Sequence, residues 1–385
     1  MLRNAHSSPL LTEALKQFQQ KAEDFAQKYI APLAQEIDKT NQFPRELWKK
    51  LGSAELLGIT IDKQYGGTAQ GYFAQALAVE AISRASGSIG LAYGAHANLC
   101  ANHIFRFGTE QQKQRYLPKL NTGEWLGALA MSERNAGSDV LNMQLHAEEK
   151  KGHFILNGHK MWITNGTEAD VIIVYAKTNS EAGPHGITAF VVEKTFSGFK
   201  PSSKLDKLGM RGCDTAELFF TNCPVPTENI LGKINGGLAV LMGGLDVERA
   251  VLAAAPVGLM QACFDIMLPY VKIRKQFKKS LGDFQLIQEK IANTYAQLNA
   301  ARNYAYATAA LCDLNQISTE QAAAVYLFAS ECAVKIALDT IQCLGGIGYL
   351  NDSPAGRLLR DAKLYDIGAG TVEVRKIVVA RELLK

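Results

Sequence analysis

The chain has 385 residues, long enough for two or three domains and a large core, and its 47% hydrophobic and 20% charged residues are typical of a globular protein. The net charge of +4 at pH 7 is too small to indicate nucleic-acid binding. Seven widely spaced cysteines without a Cys-x-x-Cys pair argue against a disulfide framework and against a zinc or iron–sulfur site.

No apolar run reaches the length needed to cross a bilayer, and residues 1–6 contain no signal-peptide hydrophobic region. The sequence therefore predicts no membrane span and a reducing compartment. That compartment is the cytoplasm of a bacterium, or the mitochondrial matrix if the chain is a processed eukaryotic protein.

Residues 1–125 are predicted to form a helical domain, because apolar residues recur at helical spacing. One stripe starts at Leu11 and is predicted to end at Pro32, and Pro44 opens the next helix. Helical spacing continues over residues 74–83 and 92–107, and Thr109 is the expected N-cap of the helix that follows.

Residues 126–237 change to short β-branched runs, which predict a middle β-domain. The predicted strands cover residues 153–160, 171–176, 186–192 and 216–220, and residues 222–226 close the region. Strands this short and evenly spaced favour a β-barrel or a sandwich.

Residues 238–385 return to long, Ala-rich helices, predicted over residues 238–271, 284–311 and 319–343. Helices of this length suit a bundle. The predicted fold class is therefore α+β, with helical domains on both sides of a β-domain.

Three segments carry groups that could bind a cofactor. Residues 131–139 offer backbone N–H groups and the hydroxyls of Ser132 and Ser138, which could bond a ring edge or phosphates, although the segment could equally be a turn. Trp162 and its neighbours could wall a flat ring or plug the core. The basic stretch 272–279 is either a solvated helix face or an anion site, because Arg forks match phosphate geometry.

Several motifs, taken in their order along the chain, resemble those of acyl-CoA dehydrogenases over essentially the whole length. The segments that carry the resemblance are residues 131–139, 162–166, 208–211, 342–349, 357–363 and 370–373. The resemblance implies an N-terminal helical domain, a middle β-barrel domain and a C-terminal four-helix bundle. It also implies a homotetramer that uses FAD and passes electrons to electron-transfer flavoprotein.

The resemblance also implies which residues hold FAD. Those expected at the flavin ring and ribityl chain are Leu129, Met131, Ser132, Gly137, Ser138, Trp162, Ile163 and Thr164. Those expected at the pyrophosphate are Arg274, Gln285, Thr371, Val372 and Glu373. Those expected at the adenosine half of an FAD bound mainly by a neighbouring subunit are Gln342, Cys343, Leu344, Gly345 and Gly346.

The family's reaction removes the α-proton of an acyl-CoA thioester while the β-hydride moves to flavin N5. It needs a carboxylate with a raised pKa and hydrogen bonds to the thioester carbonyl. Many members place this base in a Tyr-Glu-Gly-Thr loop, but the aligned residues here are Gly368–Thr371, and Ala369 cannot take a proton. The branch that oxidises isovaleryl-CoA carries its glutamate on the helix after the β-domain, where Glu248 stands. The resemblance assigns Glu248 as the base, against an ordinary ion pair on a helix surface.

At the position of Gly368 the straight-chain pattern of the family has a bulky tyrosine. The resemblance therefore implies room here for a branch at the β-carbon of the substrate. A short branched acyl-CoA is therefore expected, with isovaleryl-CoA oxidised to 3-methylcrotonyl-CoA in leucine breakdown. The residues expected to contact the substrate are Ser138, Pro184, His185, Asp246, Val247, Arg249, Gly368, Ala369 and Gly370. The sequence departs from the family pattern at Arg134, Ala239 and the Pro184–His185 pair. The length of the preferred acyl chain is therefore left open.

Other interpretations remain open at this stage. One is a dehydrogenase for another short or branched acyl-CoA, such as a terpenoid thioester. An acyl-CoA oxidase is disfavoured because the polypeptide chains of those enzymes are usually much longer. The last is a helical scaffold that binds FAD or CoA without activity, against which Glu248 and the flavin segments argue.

Overall fold

A computed structural model describes residues 8–385, and residues 1–7, on which the signal-peptide prediction rests, lie outside the described residues. The N-terminal part is helical. Its helices are α1 (Glu13–Phe25), α2 (Ala34–Thr40), α3 (Glu46–Ser53), α4 (Gly71–Ala85), α5 (Gly87–Gly94), α6 (Asn102–Phe107) and α7 (Glu110–Asn121). Thr109 is the N-cap of α7 and forms a capping box with Gln112, as predicted.

Two of the predicted N-terminal helices have irregular segments. The prediction that Pro32 ends the first helix is wrong, because the chain continues through a π-helical turn (Ala26–Ile30) and a 3-10 turn (Ala31–Leu33) into α2. Pro32 is tolerated in the first turn of that short helix, where a missing N–H costs little. The predicted helix over 92–107 is likewise divided, because the π-helix Ala95–Ala101 lies between α5 and α6.

The middle part forms one eight-stranded sheet. Its strands are β1 (Gly127–Ala130), β2 (His146–Lys150), β3 (His153–Thr164), β4 (Val171–Lys177), β5 (Ile187–Glu193), β6 (Phe199–Pro201), β7 (Thr215–Pro226) and β8 (Ile230–Leu231). The hydrogen-bonded order is β6-β7-β3-β2-β4-β5-β8, and β1 pairs in parallel with β4. β4 and β5 are almost entirely buried, so the sheet carries the core of this part on both faces.

Two predicted strands are longer than the sequence indicated: β3, and β7, which continues through residues 222–226 instead of ending before them. β3 continues past residue 160 to Thr164, so Trp162, Ile163 and Thr164 belong to the strand instead of following it. The register between β3 and β7 shifts between Lys160 and Ile163, and Trp162 has a φ of +60°. This bulge turns the Trp162 side chain out of the sheet alternation.

The C-terminal part is a helical bundle, as predicted. Its helices are α8 (Gly237–Leu252), α9 (Ala254–Ile273), α10 (Gln285–Asp313), α11 (Thr319–Leu344), α12 (Pro354–Tyr365) and α13 (Val372–Leu383). The hairpin β9 (Lys275–Gln276) and β10 (Lys279–Ser280) lies between α9 and α10. The largest apolar core joins α4 of the N-terminal part to α9, α10 and α11, which confirms the α+β class with helices on both sides of the sheet.

Helices α8 and α9 together, Gly237–Ile273, are long and apolar enough to cross a membrane by length and composition, contrary to the expectation from the sequence. Most of this stretch, 83% of its most apolar window, is buried inside the fold. Packing in the helical core therefore explains its apolar character.

Candidate active site

Glu248 is a buried carboxylic acid on α8. It is only 4% exposed, and its Oε2 has no hydrogen-bond partner in the described part of the chain. Burial raises the pKa of Glu248 from 4.5 to about 8, although the nearby Asn98 amide and the Arg249 guanidinium act to lower it. A carboxyl group with a pKa near neutrality and a free oxygen is suited to general-base catalysis.

The segment Gly368–Gly370, between α12 and α13, contacts α8 at Arg249, the residue that follows Glu248. The Tyr326 hydroxyl on α11 donates a hydrogen bond to the Gly368 carbonyl at 3.3 Å, and Arg249 Nε donates to the Ala369 carbonyl at 3.3 Å. The Ala369 N–H has no hydrogen-bond partner in residues 8–385, and Ala369 has a φ of +56°. The structure thus brings the predicted base and the predicted substrate loop together, with a free backbone donor in the loop.

Arg375 ties together the elements on either side of this loop, a role that no motif in the sequence indicates. Its guanidinium is fully buried and donates to the carbonyls of Tyr365 at 2.6 Å and Tyr326 at 3.0 Å and to Ser330 Oγ at 3.1 Å. The guanidinium also lies 4.2 Å from the Tyr326 ring centre. Its only sequence signal is an arginine four residues after Thr371, which looks like an ordinary helix-surface residue.

The two predicted flavin segments are neighbours in the fold. The Met161 N–H donates to the Ser132 carbonyl at 2.9 Å, and a Cβ added at Gly137 would lie 3.9 Å from the Trp162 ring. Trp162 is 52% exposed, and Gly137 and Ser138 are exposed as well. An exposed tryptophan beside a glycine- and serine-containing loop forms an open platform for a flat ring.

A buried ion pair supports this platform. Lys160 is fully buried, and its Nζ donates to Glu133 Oε1 and to the Met131 carbonyl, both at 2.9 Å. Burial lowers the pKa of Lys160 to about 8, although Glu133 acts to raise it. Glu133 also accepts hydrogen bonds from the Gln144 and Leu145 N–H groups. The sequence analysis placed Lys160 at a strand end and gave it no role.

The helix that carries Glu248 is connected to the platform through apolar packing. Leu245 of α8 packs against the same apolar cluster as Leu129 and Met131, so α8 and the segment after β1 share one core. The exposed residues Pro184 and His185 lie on a 3-10 turn that packs against both α8 and the turn Val140–Asn142, next to Ser138. Pro184 and His185 are therefore on a turn that links α8 to the segment following Ser138.

The predicted substrate residues on α8 differ in environment. Asp246 accepts a hydrogen bond from Thr319 Oγ1 at 2.8 Å and lies 3.6 Å from Arg249. Asp246 is thus anchored to α11, and Val247 is half-buried. Gly370 lies beside Arg249, because a Cβ added there would be 3.7 Å from Arg249 Nη2.

The residues predicted at the pyrophosphate and adenosine form no hydrogen bonds to the Trp162 segment within the described single chain. Arg274 and Gln285 are exposed on either side of the β9–β10 hairpin. Thr371 caps α13 by accepting from the Val374 N–H at 3.3 Å, so Val372 and the exposed Glu373 form its first turn.

The glycine-containing end of α11 is split between core and surface. The side chains of Cys343 and Leu344 are buried, at 2% and 7% exposure, so only their backbone is available to a ligand. Gln342 is exposed, and Cβ atoms added at Gly345 or Gly346 would meet nothing within 4 Å. Gly345 has a φ of +62°, which favours glycine, and the open backbone here suits close approach of a ligand.

Arg134, which breaks the expected motif, pairs with the sheet. Its guanidinium lies 3.2 Å from Glu217 on β7, and His159 lies 3.1 Å from the same carboxylate. Arg134 is 60% exposed, so the pair adds little stability.

Family models of acyl-CoA dehydrogenases match nearly the whole chain. The N-terminal domain model matches residues 12–124, the middle domain model residues 128–223 and the C-terminal domain model residues 235–384. The chain belongs to the acyl-CoA dehydrogenase family.

The curated relatives include several branched-chain enzymes. A mitochondrial isovaleryl-CoA dehydrogenase from Solanum tuberosum is 55% identical over 98% of this chain and 92% of its own length. The corresponding enzyme from Pongo abelii is 56% identical over 96% of this chain and 89% of its own length. A mitochondrial 2-methylacyl-CoA dehydrogenase from Solanum tuberosum is 54% identical, with coverage of 98% and 92%.

Solved structures share the whole fold. A chain from a study of the electron transferring flavoprotein of Acidaminococcus fermentans superposes with a TM-score of 0.96 at 39% identity, covering 97% of this chain and 99% of that one. Butyryl-CoA dehydrogenase from Megasphaera elsdenii gives 0.95 at 37% identity, with coverage of 97% and 99%. PigA with FAD and proline gives 0.93 at 32% identity, with coverage of 97% and 98%.

The family uses FAD, and the residues present here fit that cofactor. The exposed Trp162 offers an apolar ring face, and the Ser132–Ser138 loop offers polar groups at its edge. Open glycine backbone at Gly345 and Gly346 and the exposed Arg274 offer further contacts to the polar half of a dinucleotide.

Proposed function

We propose that the protein oxidises a short branched acyl-CoA thioester between its α and β carbons, with isovaleryl-CoA converted to 3-methylcrotonyl-CoA. The observation that carries the proposal is Glu248, a buried carboxyl group with a free oxygen and a pKa of about 8. It lies beside a loop whose central residue, Ala369, has no acid–base group. Relatives more than 50% identical act on branched acyl-CoA esters, which supports the choice of substrate.

Glu248 takes the α-proton in this mechanism. Since its carboxylate is desolvated, ionised Glu248 is a stronger base than a carboxylate in water, and Oε2 is free to receive the proton. The free Ala369 N–H donates to the thioester oxygen and stabilises the enolate that forms as the proton leaves. FAD held at this site would supply the acceptor for the β-hydride, so that the substrate would lose H⁺ to Glu248 and H⁻ to the cofactor and gain a double bond.

Specific residues hold the cofactor in this proposal. Leu129–Ser138 and Trp162–Thr164 would contact the flavin, and Thr371–Glu373 with Arg274 and Gln285 would contact the pyrophosphate. Residues Gln342–Gly346 would reach the adenosine of an FAD bound by a neighbouring subunit in a homotetramer. The exposed Gln342 and the open backbone at Gly345 and Gly346 leave this segment accessible to a neighbouring subunit, which supports a site shared between subunits. Electrons pass on to an electron-transfer flavoprotein.

Gly368 supports the preference for a branched chain. A Cβ added at Gly368 would meet only Leu364, at 3.6 Å and beyond, so neither packing nor backbone conformation requires glycine there. We infer that the absence of a side chain leaves space for the substrate. A substrate branched at the α-carbon is the second candidate, because a relative named for 2-methylacyl-CoA is 54% identical.

The seven cysteines of the chain are all free and buried, which supports a reducing compartment. We propose the cytoplasm of a bacterium or the mitochondrial matrix, the latter supported by the mitochondrial relatives.

The test is anaerobic bleaching of the flavin absorbance by isovaleryl-, 2-methylbutyryl-, butyryl-, isobutyryl- and terpenoid CoA esters. We expect isovaleryl-CoA to bleach fastest and Glu248→Gln to retain FAD and thioester binding without bleaching. Fast bleaching by the glutamine variant would place the base elsewhere. If the protein is fully loaded with FAD and no ester bleaches the flavin, the proposed dehydrogenase activity is refuted.

A further inference from the structure

A π-helical segment faces the candidate base. Residues Ala95–Ala101 form a π-helix between α5 and α6, and Asn98 on it is 5% exposed. Such segments are rare within α-helices and occur frequently at functional sites. The segment packs against α8, the helix that carries Glu248, and the Asn98 amide acts to lower the pKa of Glu248.

Both partners have unused hydrogen-bonding capacity. Asn98 Nδ2 is a buried donor without an acceptor, and Glu248 Oε2 is a buried acceptor without a donor, within residues 8–385. A buried unsatisfied polar atom is costly, and two complementary ones side by side are rarely retained without a use. Hydrogen bonds at active sites are often long in the free enzyme and shorten when charge develops.

The backbone around Asn98 is fixed against α8. The His103 ring donates from Nδ1 to the Asn98 carbonyl at 3.2 Å, since a carbonyl can only accept. A Cβ at Gly244 would lie 2.0 Å from His103 Nε2, so glycine is required one helical turn before Glu248 for this close approach. Burial lowers the pKa of His103 to about 4, and the imidazole is therefore neutral near pH 7.

We propose that Asn98 is a positioning residue for Glu248, donating its amide N–H to the carboxylate when that group ionises. The proposal deepens the function above and rests on Glu248 being the base. The charged and titratable groups that act on Glu248 are Arg249 on its own helix and Tyr326 on α11, and His103 on α6 contacts the Asn98 backbone. Burial raises the pKa of Tyr326, so both Tyr326 and His103 remain neutral near pH 7. Asn98 and Arg249 are then the groups that favour the ionised base.

A matched pair of variants tests this role. Asn98→Ala removes the donor, while Asn102→Ala removes an amide that is 3% exposed, lies on the adjoining α6 and donates to Thr60 Oγ1 instead. The measurement is kcat/KM for isovaleryl-CoA from pH 6 to 9.5, whose acid limb reports the ionisation of the free enzyme.

For Asn98→Ala we expect the acid limb to move up by about one pH unit, since one lost hydrogen bond to a carboxylate shifts its pKa on that order. At pH 7 the variant should be roughly tenfold slower, with recovery above the limb. Asn102→Ala should leave the limb in place. An equal loss at every pH, or an unmoved limb, would show that Asn98 is structural and overturn the proposal.

Asn98→Asp is an isosteric second variant that keeps the shape of the site if Asn98→Ala does not fold. A second carboxylate beside Glu248 should move the limb further in the same direction. A limb that stays in place in this variant would also overturn the proposal.

A readout without turnover separates this proposal from the proposed function. In the Asn98→Ala background, Glu248→Gln should raise the unfolding midpoint in urea at pH 8.5 by more than it does in the wild type. This coupling between Asn98 and Glu248 is measured without substrate. If it is found but no thioester bleaches the flavin, only the proposed function fails. An identical effect of Glu248→Gln in both backgrounds would refute the coupling itself.

Discussion

Replacing Glu248 by glutamine exchanges a buried ionisable side chain for a neutral one of nearly the same shape. Because burial raises the pKa of Glu248 from 4.5 to about 8, the folded protein holds a proton there that the unfolded chain releases. The stabilisation from this proton is complete below the unfolded pKa and is lost as pH rises through the folded one. Each pH unit between the unfolded and the folded pKa lowers the free energy of unfolding by about 1.4 kcal/mol. The total loss between the two pKa values is therefore roughly 5 kcal/mol.

The assay is urea unfolding of the FAD-loaded wild type and the Glu248→Gln variant at pH 5 and pH 8.5. Between pH 5 and pH 8.5 the free energy of unfolding of the wild type should fall by about 4 kcal/mol relative to that of the variant. The variant is spared this loss because glutamine has no proton to release. The gain should come mainly between pH 5 and pH 8. A difference between the two proteins that is independent of pH would refute the desolvated carboxyl group and remove the physical basis for Glu248 as the base.

Four further predictions concern the surroundings of this site. Gly368→Leu should lower kcat/KM for isovaleryl-CoA relative to butyryl-CoA by about tenfold in a substrate-competition assay, and an unchanged ratio would show that the branch lies elsewhere. Arg375→Lys should retain FAD but lower kcat, because one ammonium cannot reach the carbonyls of Tyr365 and Tyr326 together. A wild-type kcat would show that these two hydrogen bonds do not position the loop. Lys160→Met should destabilise the protein by about 3–5 kcal/mol in urea and weaken flavin retention, because the Glu133 carboxylate is left buried and unpaired, whereas an unchanged midpoint would contradict that account. Ala369→Glu in the Glu248→Gln background should restore some flavin bleaching, and complete inactivity would mean that the loop cannot direct a carboxylate at the α-proton.

The overall architecture followed from the sequence because each domain repeats one local pattern many times. Long helical periods on both sides of short β-branched runs gave the three parts and their order, and Thr109 was identified as a cap by local chemistry. Pro32 was misread, since whether a proline ends a helix or sits in the first turn of the next depends on the following residues.

The candidate site was predictable only where a motif or a family resemblance marked it. Glu248 and Ala369 were identified through the resemblance, but no sequence pattern reports that the Ala369 N–H is free or that Glu248 is desolvated. The partners Asn98 and Arg375 come from helices distant in sequence and resemble ordinary helix residues. Lys160 was missed because full burial of a lysine depends on a carboxylate, Glu133, brought in by another segment.

The location of the proposed base on α8 has a consequence for dynamics, because Glu248 lies about one turn before the end of a packed helix. A carboxylate on a surface loop can shift with loop motions on the nanosecond to microsecond scale, whereas the backbone of a packed helix moves far less unless the helix opens. Amide hydrogen exchange should therefore be much slower at Glu248 than at Gly368–Gly370. In this arrangement a packed helix carries the proposed base, while the adjoining loop is tied to the fold by the hydrogen bonds that its carbonyls accept from Tyr326 and Arg249.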